Sequence, residues 1–138
     1  MSQVVSEAGF GPDIFADVPL TSLAEYKGGG ALVLSGEDNI ATLDPHLKAL
    51  DLIVVTFPSF ADGRGFSQAR ALRAIGYNGH LRARGHVLVD QFRAALRCGF
   101  DDIEITDEQA ERNPEAQWRA VPMVPSYQSR VIGQNVNP

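Results

Sequence analysis

Leu52-Ile53-Val54-Val55-Thr56-Phe57-Pro58-Ser59-Phe60-Ala61-Asp62-Gly63-Arg64-Gly65-Phe66-Ser67-Gln68-Ala69-Arg70 is the stretch on which the fold turns. Residues 52–57 are apolar or β-branched without alternation, which predicts a strand covered on both faces, as in a parallel sheet. From Ser67 to Ile75 the period changes. Ala69, Leu72 and Ile75 fall on one side and Arg70 with Arg73 on the other, which predicts an amphipathic helix capped by Ser67. The loop between them leaves the end of a strand and enters a helix, the place where α/β proteins hold ligands.

Downstream, Gly76 stops the helix and Asn78-Gly79 makes a turn. Leu81 and Ala83 alternate with Arg82 and Arg84, which predicts a strand with two unlike faces. A second helix follows, with Leu88, Phe92, Ala95, Leu96 and Gly99 inward, Asp90 paired to Arg93, and Gly99-Phe100 as its stop. Asp102 to Ile105 is a further strand. Thr106-Asp107-Glu108-Gln109 reads as a capping box opening a short acidic helix that ends before Pro114. Upstream, Ala31 to Leu34 reads as a strand, and Asp44-Pro45 as the start of a short helix over residues 46–50. Residues 1–30 look irregular, with Gly28-Gly29-Gly30 as a hinge, and residues 119–138 look like an extended or partly disordered arm.

The order from residue 31 is β-α-β-α-β-α-β-α, which predicts a small, mainly parallel four-stranded α/β sheet. Either an open sandwich or half of a (βα) barrel satisfies it. A chain of 138 residues fits one domain, placed at residues 1–118, and can bury roughly two-thirds of its unfolded surface. Exposed sheet edges, or a half-barrel, predict a homodimer.

Hydrophobic residues at 44% and charged residues at 21% are ordinary for a soluble domain. No apolar run is long enough for a bilayer, and the N-terminus lacks a basic start with an apolar core, so a cytoplasmic location is expected, with no membrane partner. The lone Cys98 forms neither an internal disulfide nor a dithiol pair, and its place in the last turn of a helix predicts a buried structural thiol. Net charge is −5, yet residues 58–99 hold Arg64, Arg70, Arg73, Arg82, Arg84, Arg93 and Arg97 against only Asp62 and Asp90. A basic block in an acidic chain points to a local anion site or a docking face, not to nucleic acid.

Parallel strands place their C-terminal ends on one edge. The connections there bring together Asp62, Arg64 and Ser67, then Arg84 and His86, then Thr106 and Asp107. Gly63-Arg64-Gly65 at a helix entrance offers backbone N–H groups and a guanidinium to a small anion, with Ser67 and Arg84 as further donors. The competing reading is a tight turn needing positive φ, with Arg64 paired to Asp62. Asp62 and His86 are the candidates for acid–base work. The loop is neither a P-loop nor a dinucleotide fingerprint, because no Gly-Lys-Ser/Thr follows and Gln68 stands at the third-glycine position. His46, His80 and His86 have no ligand spacing, so no metal is predicted.

The run from Phe57 to Ser67, with Leu81-Arg82-Ala83, Asp90-Gln91 and Arg97-Cys98-Gly99-Phe100-Asp101, resembles the bacterial DUF934 family. Its members are described as probable oxidoreductases or accessory proteins of assimilatory sulfite reduction. The resemblance implies sulfur assimilation as the process and brings no catalytic residue. An acidic residue is usual in that family where His86 stands, which weakens a catalytic role for His86. The residues themselves show no nicotinamide, flavin, metal or dithiol signature, so no cofactor is predicted, although a flavin bound without a motif is compatible with the sequence. The leading expectation is a non-catalytic accessory protein docking on a sulfite reductase component. The alternative is a small enzyme or binding module for an anionic sulfur or phosphate compound.

Overall fold

The computed structural model describes residues 2–28, 30–58 and 63–120. It is an α/β structure built on one mixed sheet of seven strands. The strands are β1 (Ser2–Ser6), β2 (Gly9–Gly11), β3 (Thr21–Ser22), β4 (Ala31–Leu34), β5 (Leu52–Phe57), β6 (His80–Gly85) and β7 (Asp102–Thr106). Their spatial order is β2-β1-β7-β6-β5-β4-β3.

The four expected strands are present as β4 to β7, parallel and neighbouring in sequence order. The expectation of four strands falls short because residues 1–30 are not irregular. β1 runs antiparallel to β7 along its whole length, β2 folds back on β1, and β3 adds a short parallel pair to β4. The sheet thus ends on strands of three and two residues. Short edge strands offer little to an approaching chain, so exposed edges no longer argue for a homodimer.

The helices are α1 (Arg64–Ala74), α2 (Phe92–Arg97), α3 (Asp107–Arg112) and α4 (Glu115–Ala120), with a 3₁₀ run over Ile40–Ala49. α1 begins three residues before Ser67, so Ser67 sits within its first turn and Gly63 takes the cap position. The short helix expected after Asp44-Pro45 is instead the 3₁₀ run, capped by Asn39, which accepts from the Ala41 N–H at 3.0 Å, and Pro45 lies inside it. Both glycine stops form as read. Gly76 and Gly99 have positive φ. Tyr77 N–H donates to Leu72 C=O at 3.0 Å and Phe100 N–H to Ala95 C=O at 3.2 Å, each closing a Schellman turn. Leu88, expected inward, is 42% exposed, because a 3₁₀ turn over Val89–Gln91 precedes α2. No Asp90–Arg93 ion pair exists among the described residues. Thr106 caps α3 by accepting from Gln109 N–H at 3.1 Å, but the Gln109 amide then donates to Val87 C=O at 2.7 Å, tying α3 to the loop after β6. Of the arm expected over residues 119–138, the first two residues close α4 and the rest lies outside the described residues.

All the main helices cover one face of the sheet. Leu32, Leu34, Ile53, Val55, Leu81, Ala83, Ile103 and Ile105 point into a single core with Leu43 and Leu47, Ala69 and Leu72, Phe92 and Ala95, and Trp118. Cys98 belongs to this core and is buried. Among the described residues the opposite face carries no helix. Strand alternation places Ala31 and Val33, Leu52, Val54 and Thr56, His80, Arg82 and Arg84, and Asp102 and Glu104 there. Residues 12–20 run over part of it as a strap, with Phe15 and Leu20 packed on Ala31, Leu52 and Val54.

Candidate functional site

The helix entrance after β5 is built by packing. Gly65 is buried, and a Cβ there would overlap the Phe57 ring, so this glycine lets α1 close onto the end of β5. Neither Gly63 nor Gly65 has positive φ: Gly63 sits at φ −87°, so the turn has no need of a left-handed residue. Arg64 leads the helix and is half exposed. Its guanidinium lies 3.6 Å from the Glu37 carboxylate, on the loop following β4. Gln68, one turn on, is buried and donates to Ser35 and Asp38 C=O at 2.7 and 3.1 Å. The α1 entrance is therefore tied toward β4. Ser67 and His86 are exposed, and Asp107 is an exposed first residue of α3. Asp62 lies outside the described residues.

Arg84 stands elsewhere. It is on β6, on the helix-free face, in register with Thr56 of β5 and Glu104 of β7. The structure thus separates the two guanidinium groups that the sequence reading joined. Arg64 turns to the β4 side of the helical layer, and Arg84 projects from the other face of the sheet.

The most developed polar arrangement is one that spacing alone did not point to. Arg82 is 2% exposed and Asp102 is 5% exposed. Arg82 Nε donates to Asp102 Oδ1 at 2.8 Å and Nη2 to Oδ2 at 3.1 Å, a bidentate pair across β6 and β7. His80 Nε2 meets Asp102 Oδ2 at 2.8 Å. From the strap, Asp13 Oδ1 accepts from Arg82 Nη1 at 2.8 Å and from Phe15 N–H at 2.9 Å. The Phe15 ring lies 4.9 Å from the His80 ring and 5.6 Å from the Arg82 guanidinium carbon. Burial opposes charge on both partners of the pair. The mutual hydrogen bonds, with His80 on Asp102 and Asp13 on Arg82, outweigh it, holding the Asp102 carboxyl below its ordinary value and the guanidinium above its own. The cluster is a charged lock between strap and sheet. Alternation of Leu81 and Ala83 with Arg82 and Arg84 signalled a polar strand face. Which acid would meet Arg82 depends on register, which the sequence does not display.

Two further polar side chains are engaged. Tyr77 donates its hydroxyl to His80 C=O at 2.8 Å, and burial, the largest influence, raises its pKa far above the ordinary phenol value. Arg73 bonds Gly99 C=O from Nη2 at 2.8 Å, Gly79 C=O at 2.9 Å, Tyr77 C=O at 3.0 Å and Asp101 at 3.0 Å, bracing the stop of α2. Among the described residues no group of three His, Cys, Asp or Glu side chains is placed to hold a metal ion, and no helix is long and apolar enough to cross a membrane.

The profile of a family described as "Bacterial protein of unknown function (DUF934)" matches residues 31–136. The match spans β4 to β7 and all four helices, while β1 to β3 and the strap precede it. No curated protein and no solved structure matches the chain.

Proposed function

We propose, from the premise that this chain belongs to the DUF934 family, that it is a non-catalytic accessory protein of assimilatory sulfite reduction, and that it works by docking its helical layer on an acidic face of a reductase component. The process comes from the accounts given of that family. The docking face comes from the charge layout, and one observation carries it. Helices α1 and α2 hold Arg64, Arg70, Arg73, Arg93 and Arg97 and no acidic residue at all. Arg73 is consumed by its bonds to Gly99, Tyr77 and Asp101. Arg70, Arg93 and Arg97 hold no ion pair among the described residues, and Arg70 and Arg97 are exposed. Both helices pack on the same face of the sheet, so their outer sides form one basic surface on a chain of net charge −5. Such a surface steers and orients an acidic partner. The buried charges, by contrast, are committed to one another around Arg82 and Asp102.

The test is capture of purified sulfite reductase components by the purified protein at low and at physiological salt. Binding is expected to weaken with salt, and the double variant Arg70→Glu/Arg97→Glu is expected to lower affinity by about tenfold or more. No binding at low salt, or binding indifferent to the double variant, would sink the docking reading.

A further inference from the structure

Two arginines on the same face of β6 have opposite circumstances. Arg82 commits three of its donors to Asp102 and Asp13 under the strap. Arg84, two residues on and partly buried, has no hydrogen bond or ion pair among the described residues. A guanidinium carries five donors, and withdrawing it from water without acceptors is unfavourable. Its register neighbours are fixed: Thr56 on one side and Glu104 on the other. The Thr56 hydroxyl donates to Leu34 C=O at 3.0 Å, so its oxygen offers only lone pairs to the space beside Arg84. Among the described residues the Glu104 carboxylate has one cation within 4.0 Å, Arg82 at 3.9 Å, so it is not spent on Arg84. The strap contacts lie at the level of His80 and Arg82, and beyond them this face becomes accessible: Thr56, Arg84 and Glu104 are all partly exposed and Thr106 is exposed.

We propose that this row, Thr56–Arg84–Glu104 at the C-terminal ends of β5, β6 and β7, is a binding site for a small molecule that joins an oxyanion to a neighbouring hydrogen-bond donor. Arg84 takes the oxyanion, in the end-on or bidentate manner that suits sulfonate, phosphate or carboxylate. Glu104 and the Thr56 oxygen take an ammonium or hydroxyl group on the same ligand. A bare sulfate would meet the Glu104 charge at close range, so the site selects zwitterions and hydroxy acids over simple inorganic anions. It lies on the face of the sheet opposite the docking helices and stands or falls separately from them.

The experiment is calorimetric titration of the full chain with four probes: inorganic sulfate, inorganic phosphate, O-phosphoserine and cysteate. Saturable binding is expected for the two amino-bearing probes, and loss of at least tenfold in affinity with Arg84→Gln. Arg64→Gln is expected to bind as the parent does. Glu104→Gln is expected to abolish the preference for amino-bearing probes and to tighten sulfate about threefold or more. This last variant gains binding, so misfolding cannot imitate it and it decides the matter even if Arg84→Gln does not fold. The proposal is overturned by absence of saturable binding for all four probes, by equal affinity in Arg84→Gln, by loss confined to Arg64→Gln, or by a Glu104→Gln protein that ranks the probes as the parent does.

Discussion

The two faces of the sheet are stabilised by different physics. Beneath the helices, Ile53, Val55, Leu81, Ala83 and Ile103 are fully buried, and the face is held mainly by apolar packing. On the helix-free face the same strands carry His80, Arg82, Arg84, Asp102 and Glu104, and its β4–β5 end is apolar, under Phe15 and Leu20. A core of the first kind is insensitive to pH and salt and sensitive to shape. A lock of the second kind is the reverse. The difference also separates Arg82 from Arg84: the first is an internal strut, and the second is partly exposed with no side-chain hydrogen bond or ion pair among the described residues. Four measurements bear on this contrast.

The largest effect is expected at the strut. Arg82→Met leaves Asp102, 5% exposed, as a buried charge without its bidentate partner, and should lower stability by about 3–5 kcal/mol in urea denaturation at neutral pH. The pair replaced together, Arg82→Met with Asp102→Leu, should recover most of that loss, because two apolar residues leave no orphaned charge. A single-variant loss below about 1 kcal/mol would mean that the cluster is already wet, and the contrast between the faces would fail.

On the apolar face the sensitive point is Gly65, where an added methyl would overlap the Phe57 ring. Phe57 is itself wedged between Phe66 and Phe100, with ring centroids 5.0 and 5.9 Å away, so it cannot yield freely. Gly65→Ala should therefore lower stability by about 1–3 kcal/mol, with no dependence on salt. A neutral result would show that α1 can lift from the end of β5 without consequence.

Acid offers a third cut. The Asp102 carboxyl is held below its ordinary value in the folded state: burial pushes it up, and the bonds from His80 and Arg82 more than reverse that. The unfolded chain therefore takes up this proton first as pH falls. The Asp102 contribution is complete above the ordinary carboxylate range, declines from about pH 3.9 downward, and is gone below the folded-state value. Asp102→Asn removes the ionisation, so its stability between about pH 5 and pH 2 should fall less steeply than the parent's. Parallel slopes for parent and variant would show that other carboxylates set the acid limit.

How much of this was legible follows from the range of each interaction. β4 and β5 could be read because each is a compact apolar run, β6 and β7 because apolar and charged residues alternate along them, and two of the connections end on a glycine, Gly76 or Gly99, that forms a local Schellman turn. The β1–β2 hairpin could not. Ser2 pairs with Thr106 and Ser6 with Asp102, so the reason these residues are extended lies at the far end of the chain, while Gly9, Gly11 and Pro12 locally suggest a loop. The candidate site was half legible for a similar reason. Arg84 was reached by topology, since the ends of parallel strands share an edge. Its separation from Arg64 required knowing which face each side chain takes, and the bond of Arg82 to Asp102, 20 residues on, required the register.

The smallest effect is expected at Arg84, and it is the sharpest test of the contrast. A partly buried guanidinium with no acceptor among the described residues does nothing for the folded chain that solvent would not do as well for the unfolded one. Arg84→Gln keeps the length and the amide donors while removing the charge beside Glu104 of β7. Stability should therefore change by less than about 0.5 kcal/mol, in contrast to the neighbour two residues away. A loss of 2 kcal/mol or more would mean that Arg84 is a second strut, paired in solution, and the binding row would lose its central cation. A small gain would carry the opposite meaning. Residues kept for a ligand are commonly held at some expense to stability, and relief on removing one is the sign of a group placed for binding rather than for folding.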